Sequence, residues 1–355
     1  MTQSTYDPCL LYSTEPFGLV GLQTDDTLFL GTEKFAEQEQ IQLDKAGFLA
    51  KKREQLTTTN NIKFNGGIIQ LEENGTIVIT QERQCRNIKT VSKHYASTTS
   101  TRGITRDQLT TKEQYIAQRA RGAYIASLSQ PEAAYDLSVA AQAIDPTEND
   151  IKALNKRLQW QIESAARGLR FVKLEKQSLQ LLVFTDSSFA NNKDLSSQIG
   201  YILVIKDDSG NANILHWSST KCKRVTRSVL ASELYAMAHG FDIAAAIKST
   251  IDKALQISLP LVLCTDSKSL FDCLVKLGTT AEKRLMIDIM CLRQAYERRE
   301  VAEVKWIKGE SNPADAMTKT KPSTALKQLV DTNKIKLEVE EWVERVGKGG
   351  GKEGQ

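Results

Sequence analysis

Two apolar runs, L-L-V-F-T at 181–185 and L-V-L-C-T at 261–265, each end in an aspartate, Asp186 and Asp266. An apolar run of this length reads as a strand whose burial fixes the following carboxylate while the strand end exposes it. Around these two runs the texture alternates. Strand-like stretches at 179–185, 199–206 and 212–218 precede a long helix over 227–247. A strand at 259–265, helices near 267–276 and 281–298, a strand at 301–307 and a helix from Pro313 follow. Three meandering strands and then alternating helices and strands predict an α/β unit, a mixed sheet flanked by helices.

Two further acidic residues complete a set of four. Glu233 lies on the long helix, whose apolar positions Leu230, Leu234, Met237 and Phe241 face the sheet, and Asp315 lies two residues after Pro313. The reading places Asp315 in a first helical turn, where the helix dipole favours a negative group. Any one of the four alone fits a solvated turn or cap. All four together, in this order on these elements, fit a site that holds two Mg²⁺ ions, or Mn²⁺ in their place, on hard carboxylate oxygens for phosphodiester hydrolysis.

Composition removes several other classes. The chain has 355 residues, 41% hydrophobic and 25% charged, which suits two or three globular domains. No apolar run approaches the roughly 20 residues of a membrane-spanning helix, so no membrane partner is expected. Met1 is followed by polar residues without a basic start and apolar stretch, so the expected location is intracellular, cytoplasmic or nuclear. The six cysteines, Cys9, Cys85, Cys222, Cys264, Cys273 and Cys291, form no C-x-x-C pair and have only three histidines beside them, which argues for reduced thiols rather than zinc. A formal charge of +4 is too small to argue for nucleic acid by itself. Local clustering has to carry that claim, and Lys221, Lys223, Arg224 and Arg227, leading into the Glu233 helix, supply such a cluster. Basic groups beside a metal site can hold duplex phosphates without reading sequence.

The N-terminal half is organised differently. Residues 16–31 read as two strands around a turn with Thr24, Asp25 and Asp26 at its tip, and residues 33–53 as a helix. Strand-like stretches at 67–71 and 75–81 follow, then a Ser- and Thr-rich surface connection over 96–111. Helices broken at Pro131 and at Asp145-Pro146 lead to a helix carrying Ile151, Leu154, Leu158 and Ile162, which Gly168 is expected to close. Asp145 is expected to cap that helix with Pro146 at its first position. Trp217 and the tyrosines Tyr115, Tyr124 and Tyr135 are expected to pack rather than stack on bases. At the other end, a helix over 323–344 and a disordered Gly- and Lys-rich tail from 347 are expected.

The segments T-D-S-S-F-A, G-Y-I-L-V, W-S-S-T-K-C, S-E-L-Y-A-M, C-T-D-S-K-S and N-P-A-D-A-M-T-K, in order across residues 180–320, resemble the ribonuclease H domain of copia-type retrotransposon polyproteins. The resemblance implies cleavage of the RNA strand of an RNA/DNA hybrid, with Asp186, Glu233, Asp266 and Asp315 as the catalytic, metal-binding set. The segment E-K-R-L-M-I-D-I also resembles a stretch ahead of the family's last helix, with Asp288 a surface residue. Many cellular ribonucleases H carry a His in the loop before the last Asp, where this chain has Lys308-Gly309-Glu310-Ser311-Asn312. Upstream, D-P-C-L-L-Y, L-Q-T-D-D, F-N-G and Q-P-E-A-A-Y resemble the reverse transcriptase part of the same polyproteins, which implies that Asp25 and Asp26 descend from polymerase metal ligands. A palm needs a further Asp from an earlier strand, so polymerase activity is not expected. The expected domains are a truncated palm remnant at 1–95, a helical connection at 96–175, a ribonuclease H-like domain at 176–322 and a C-terminal segment at 323–355. The competing reading is a catalytically silent retroelement remnant that at most binds nucleic acid. A resolvase, transposase or exonuclease on the same fold is a third. The rest of a polyprotein is the other expected partner.

Overall fold

The computed structural model describes residues 1–48, 51–92, 109–276, 280 and 282–344. The expectations for the 96–111 connection and for the tail from 347 lie mostly or wholly outside the described residues.

The carboxylate-bearing half folds around one six-stranded mixed sheet. Its strands are β1 (Gln180–Ser188), β2 (Gln198–Lys206), β3 (Ala212–Lys221), β4 (Leu261–Thr265), β5 (Glu303–Ile307) and β6 (Val339–Glu344). They lie in the order β3-β2-β1-β4-β5-β6. The first three strands run antiparallel, β4 lies parallel to β1, β5 lies parallel to β4, and β6 returns antiparallel. This is the expected mixed sheet flanked by helices. Its helices are α1 (Val229–Leu255), α2 (Lys268–Val275), α3 (Met286–Glu297) and α4 (Thr324–Thr332).

Alternate residues of β1 enter two different cores. Leu181 and Val183 pack with Leu234, Met237 and Phe241 of α1, while Leu182 and Phe184 pack with Met317, Leu326 and Leu329 on the opposite face. Burial on both faces is why this strand reads as an unbroken apolar run. Gly240 of α1 sits where an added Cβ would come within 3.1 Å of Val183 and Thr185, so its bare Cα lets the helix approach β1 closely.

Three expectations change at element ends. The helix expected over 33–53 runs only over Glu33–Lys45, because Gly47 takes φ +71 and its N–H bonds back to the Asp44 carbonyl. The helix ahead of the sheet spans Glu148–Glu163 and is capped by Thr147, whose side chain accepts from the Asp150 N–H; Asp145 and Pro146 precede the cap. Gly168 lies beyond that helix, where a Cβ would collide with the Ile79 carbonyl as the strand Leu169–Phe171 joins the sheet of Ile62–Phe64, Gly67–Leu71 and Ile77–Thr80.

The C-terminal segment changes most. In place of one helix over 323–344 stand α4 and the edge strand β6, which pairs with β5. Asn333 takes a left-handed conformation and ends α4, and its side chain donates to the Ala212 and Arg170 carbonyls.

The remaining N-terminal residues form a four-stranded sheet that includes Phe17–Gln23 and Asp26–Gly31. Ser4 Oγ lies 2.8 Å from Thr250 Oγ1 of α1, which ties this sheet to the long helix. The helices Thr111–Leu128, Ala134–Ala140 and Glu148–Glu163 build a separate core around Ile125, Leu137, Leu154 and Leu158. Tyr115 is buried in that core, and Tyr135 is buried as well. Tyr124 donates to the Asn65 carbonyl at 2.6 Å, and half-buried Trp217 donates to the Ala126 carbonyl at 3.0 Å. Among the described residues no helix is long and apolar enough to cross a membrane.

Candidate metal centre

Parallel pairing of β1 with β4 brings the two Thr-Asp strand ends side by side. Asp186 lies within β1, while Asp266 follows the last residue of β4. The third carboxylate arrives from the chain after β5. Asp315 belongs to a five-residue 3-10 segment, Pro313–Met317, rather than to the α-helix expected there, so it has no long helix dipole behind it. Carboxylate oxygens of Asp186, Asp266 and Asp315 lie within 4.8 Å of one another.

Glu233 falls outside that triangle. Its Oε1 accepts from Ser187 Oγ at 2.8 Å, one residue along β1 from Asp186. Its Oε2 is buried without a protein partner, as is Oγ1 of Thr185, the residue before Asp186. A buried acceptor left unpaired costs about 1–3 kcal/mol unless something else satisfies it.

Two neighbours hold the cluster in place. Fully buried Asn312 donates from Nδ2 to the Thr185 carbonyl at 3.0 Å and to Asp266 Oδ1 at 3.4 Å, while its Oδ1 accepts from the Ala314 N–H at 3.1 Å. It therefore joins β1, the end of β4 and the Asp315 segment. Thr318 donates through Oγ1 to Asp186 Oδ2. The loop of residues 308–312 folds as a short turn at Gly309–Ser311, and Gly309 stands where a Cβ would lie 3.2 Å from Asp266 Oδ2.

Lys319 is the cation in this cluster, with Nζ 2.7 Å from Asp315 Oδ1 and 3.5 Å from Asp186 Oδ2. Burial raises Asp186 to about 7; the charges of Asp315 and Asp266 add to that, against Lys319 and the Thr318 hydroxyl. Lys319 is pushed up to about 12, because its three carboxylate neighbours outweigh burial. Both values rise, for opposite reasons: burial disfavours the charge on almost fully enclosed Asp186, while the surrounding carboxylates favour the charge on Lys319, which keeps about half its side chain in water. Burial also raises Glu233 well above the usual carboxylate range, with Asp186 next in effect, and raises Asp266, with Asp315 next.

Ser187, Asn312, Thr318 and Lys319 were not singled out from the sequence. The signal for Asn312 is its place before Pro313, as an Asn able to cap the segment that carries Asp315. Lys319 stands four residues after Asp315, a spacing that announces an ion pair only on a regular helix.

The other sequence candidates lie apart from this cluster. Asp25 and Asp26 are exposed at the tip of their hairpin, and among the described residues no group of three His, Cys, Asp or Glu able to share an ion includes them. Lys221 pairs with Asp194, and Arg224 pairs with Asp288 at 2.8 Å while lying 4.9 Å from the Tyr235 ring centre. Lys223 and Arg227 are exposed.

The donor set suits a hard divalent cation. It offers several carboxylate oxygens, no sulfur or imidazole, and an unpaired buried Glu233 oxygen beside the triangle. Such a set can hold charge against a phosphate and orient water beside it.

No family model matches the chain, and no curated protein matches it. Among solved structures it is similar to LC11-RNase H1, isolated from compost by a metagenomic approach, at 19% identity over 43% of this chain and 96% of that one, with a TM-score of 0.31. It is similar to RNase H1 of Halobacterium salinarum at 18% identity over 42% of this chain and 98% of that one, with a TM-score of 0.30. The foamy viral protease-reverse transcriptase in complex with RNA/DNA hybrid matches at 13% identity over 77% of this chain and 34% of that one, with a TM-score of 0.38.

Proposed function

We propose that this chain is the C-terminal part of a copia-type reverse transcriptase, and that it hydrolyses the RNA strand of RNA/DNA hybrids endonucleolytically with Mg²⁺. The single observation that carries the reading is the convergence of Asp186, Asp266 and Asp315 within 4.8 Å at the ends of neighbouring strands. Asp186, Asp266 and Asp315 would hold the ions, with Glu233 completing the set through its unpaired oxygen. When bound, a pair of Mg²⁺ ions supplies an activated water and stabilises the leaving oxygen.

The chain's own groups do the rest. Asn312 holds the β4 end and the Asp315 segment against β1, so that the carboxylates meet at fixed spacing. Ser187 orients Glu233 by its 2.8 Å hydrogen bond. Lys223 and Arg227, exposed ahead of α1, would hold the phosphates of a hybrid recognised by its A-like shape and 2′-hydroxyls rather than by base edges.

In this reading residues 1–95 are a palm remnant without polymerase activity, 96–175 a helical connection, 176–322 the nuclease domain and 323–355 its C-terminal extension. Asp25 and Asp26 are exposed, and among the described residues no third His, Cys, Asp or Glu joins them in a group able to share an ion. The remainder of a polyprotein is the proposed partner, and the proposed location is the cytoplasm or nucleus.

The test is incubation of the purified chain with labelled RNA/DNA hybrid and Mg²⁺, beside single-stranded RNA, duplex DNA and the Asp186→Asn variant. Hybrid-specific cleavage that disappears in Asp186→Asn is the expected result. Binding of the hybrid by folded protein without cleavage would sink the nuclease reading in favour of a silent remnant.

A further inference from the structure

The Lys319 ammonium sits against two of the carboxylates that a divalent cation would need. It lies 2.7 Å from Asp315 Oδ1 and 3.5 Å from Asp186 Oδ2, two members of the carboxylate triangle. Mg²⁺ binds oxygen at about 2.0–2.1 Å and demands near-octahedral geometry, so an ammonium held against the same two carboxylates opposes it by charge and crowds its approach.

The contact is nonetheless built to open. The Lys319 side chain is 45% exposed, whereas Asp186 is 2% exposed and donor Thr318 is fully buried. A lysine ammonium is a compact charge on a flexible four-carbon stem, free to rotate into water while the carboxylate stays where Thr318 holds it.

Resting on the two-metal reading of this site, we propose that Lys319 is a built-in counter-ion: it competes with divalent ions for Asp186 and Asp315 and must leave the cluster before they are held. The lysine then sets the threshold of metal concentration at which the nuclease becomes competent. It also keeps three converging carboxylates from repelling one another before the ions arrive. Lys319 is accordingly a positioning residue, since it acts through the carboxylates.

Mn²⁺ affinity measured by calorimetry on the full chain, without nucleic acid, tests the proposal. The comparison is between wild type, Lys319→Gln, Lys319→Arg and Asp186→Asn, each checked for folding by circular dichroism. Loss of one neighbouring positive charge is expected to tighten Mn²⁺ binding about tenfold in Lys319→Gln, while Lys319→Arg binds no tighter than wild type. After EDTA treatment, Lys319→Gln is expected to melt below wild type, and added Mn²⁺ to close that gap. Wild-type Mn²⁺ binding that is lost in Asp186→Asn but not strengthened in Lys319→Gln would overturn the counter-ion role and leave the metal site standing. Absence of Mn²⁺ binding in both wild type and Lys319→Gln would overturn both.

Discussion

Gly200 pairs directly across the sheet with Asp186, and its missing side chain is where the Asp315 segment comes down onto β2. A Cβ at position 200 would collide with Met317 Cβ and lie 3.2 Å from Thr318 Cγ2. Gly200→Ala should therefore push Pro313–Met317 outward and carry Asp315 and Thr318 away from Asp186. Overpacking of this kind costs about 1–3 kcal/mol, and a displacement near 1 Å at reacting groups costs about a hundredfold in rate. Thermal melting and hybrid cleavage of the variant check both effects. A folded Gly200→Ala protein with wild-type cleavage would show that this contact does not position Asp315.

Burial of Asp186 makes the stability of the EDTA-treated protein depend on pH. Its folded pKa is raised to about 7 from 3.8, chiefly by burial. An acid raised in this way contributes stability that is fully present below its unfolded value and is lost as pH climbs from about 4 through about 7. Three units correspond to about 4 kcal/mol at most. Glu233 and Asp266, raised in the same direction, add to the trend. The urea midpoint should therefore fall between pH 5 and pH 8, Asp186→Asn should flatten the fall, and Mg²⁺ should oppose it in wild type. Parallel profiles for wild type and Asp186→Asn would contradict the assignment.

Asn312→Ala tests how the loop is held. The substitution strands the Thr185 carbonyl and the Ala314 N–H in a buried position and frees Asp266 from one of its donors. Each buried polar group left unpaired costs about 1–3 kcal/mol. The variant is expected to unfold at lower denaturant and to cleave hybrid more slowly. Asn312→Asp, which keeps the acceptor for Ala314 but loses the amide donor, should be no better, because it adds a negative charge beside Asp266. Full activity in Asn312→Asp would sink this account.

The parts of the site visible in the sequence are those written into strands buried on both faces. Leu181 to Phe184 and Leu261 to Cys264 enter cores above and below the sheet, so their apolar runs announce strands and the following Asp residues mark their ends. The Asp315 segment was legible as an acid after Pro313 but not as a 3-10 turn, because five residues carry too little periodicity to tell one helix type from another. β6 was hidden for a different reason. Its residues V-E-E-W-V-E are rich in helix-forming Glu, and only pairing with β5 at the sheet edge makes them a strand. The Thr318 to Asp186 contact joins residues 132 apart in the chain, a relation that local pattern cannot report.

The basic residues ahead of α1 divide into two pairs that sequence alone treats alike. Lys221 and Arg224 are already engaged by Asp194 and Asp288, and Arg224 also lies over the Tyr235 ring. Lys223 and Arg227 are exposed and make no ion pair among the described residues. A phosphate contact by an engaged side chain must first break its protein partner, which offsets much of the gain, whereas a free one only releases counterions from the duplex. Lys223→Ala and Arg227→Ala should each weaken hybrid binding and reduce the slope of log affinity against log salt by about 0.7–0.9. Lys221→Ala and Arg224→Ala should change the slope less. Binding isotherms at several salt concentrations, in Ca²⁺ rather than Mg²⁺ to suppress cleavage, decide the matter: equal slope changes for all four would show that the ion pairs do not hold these side chains away from nucleic acid.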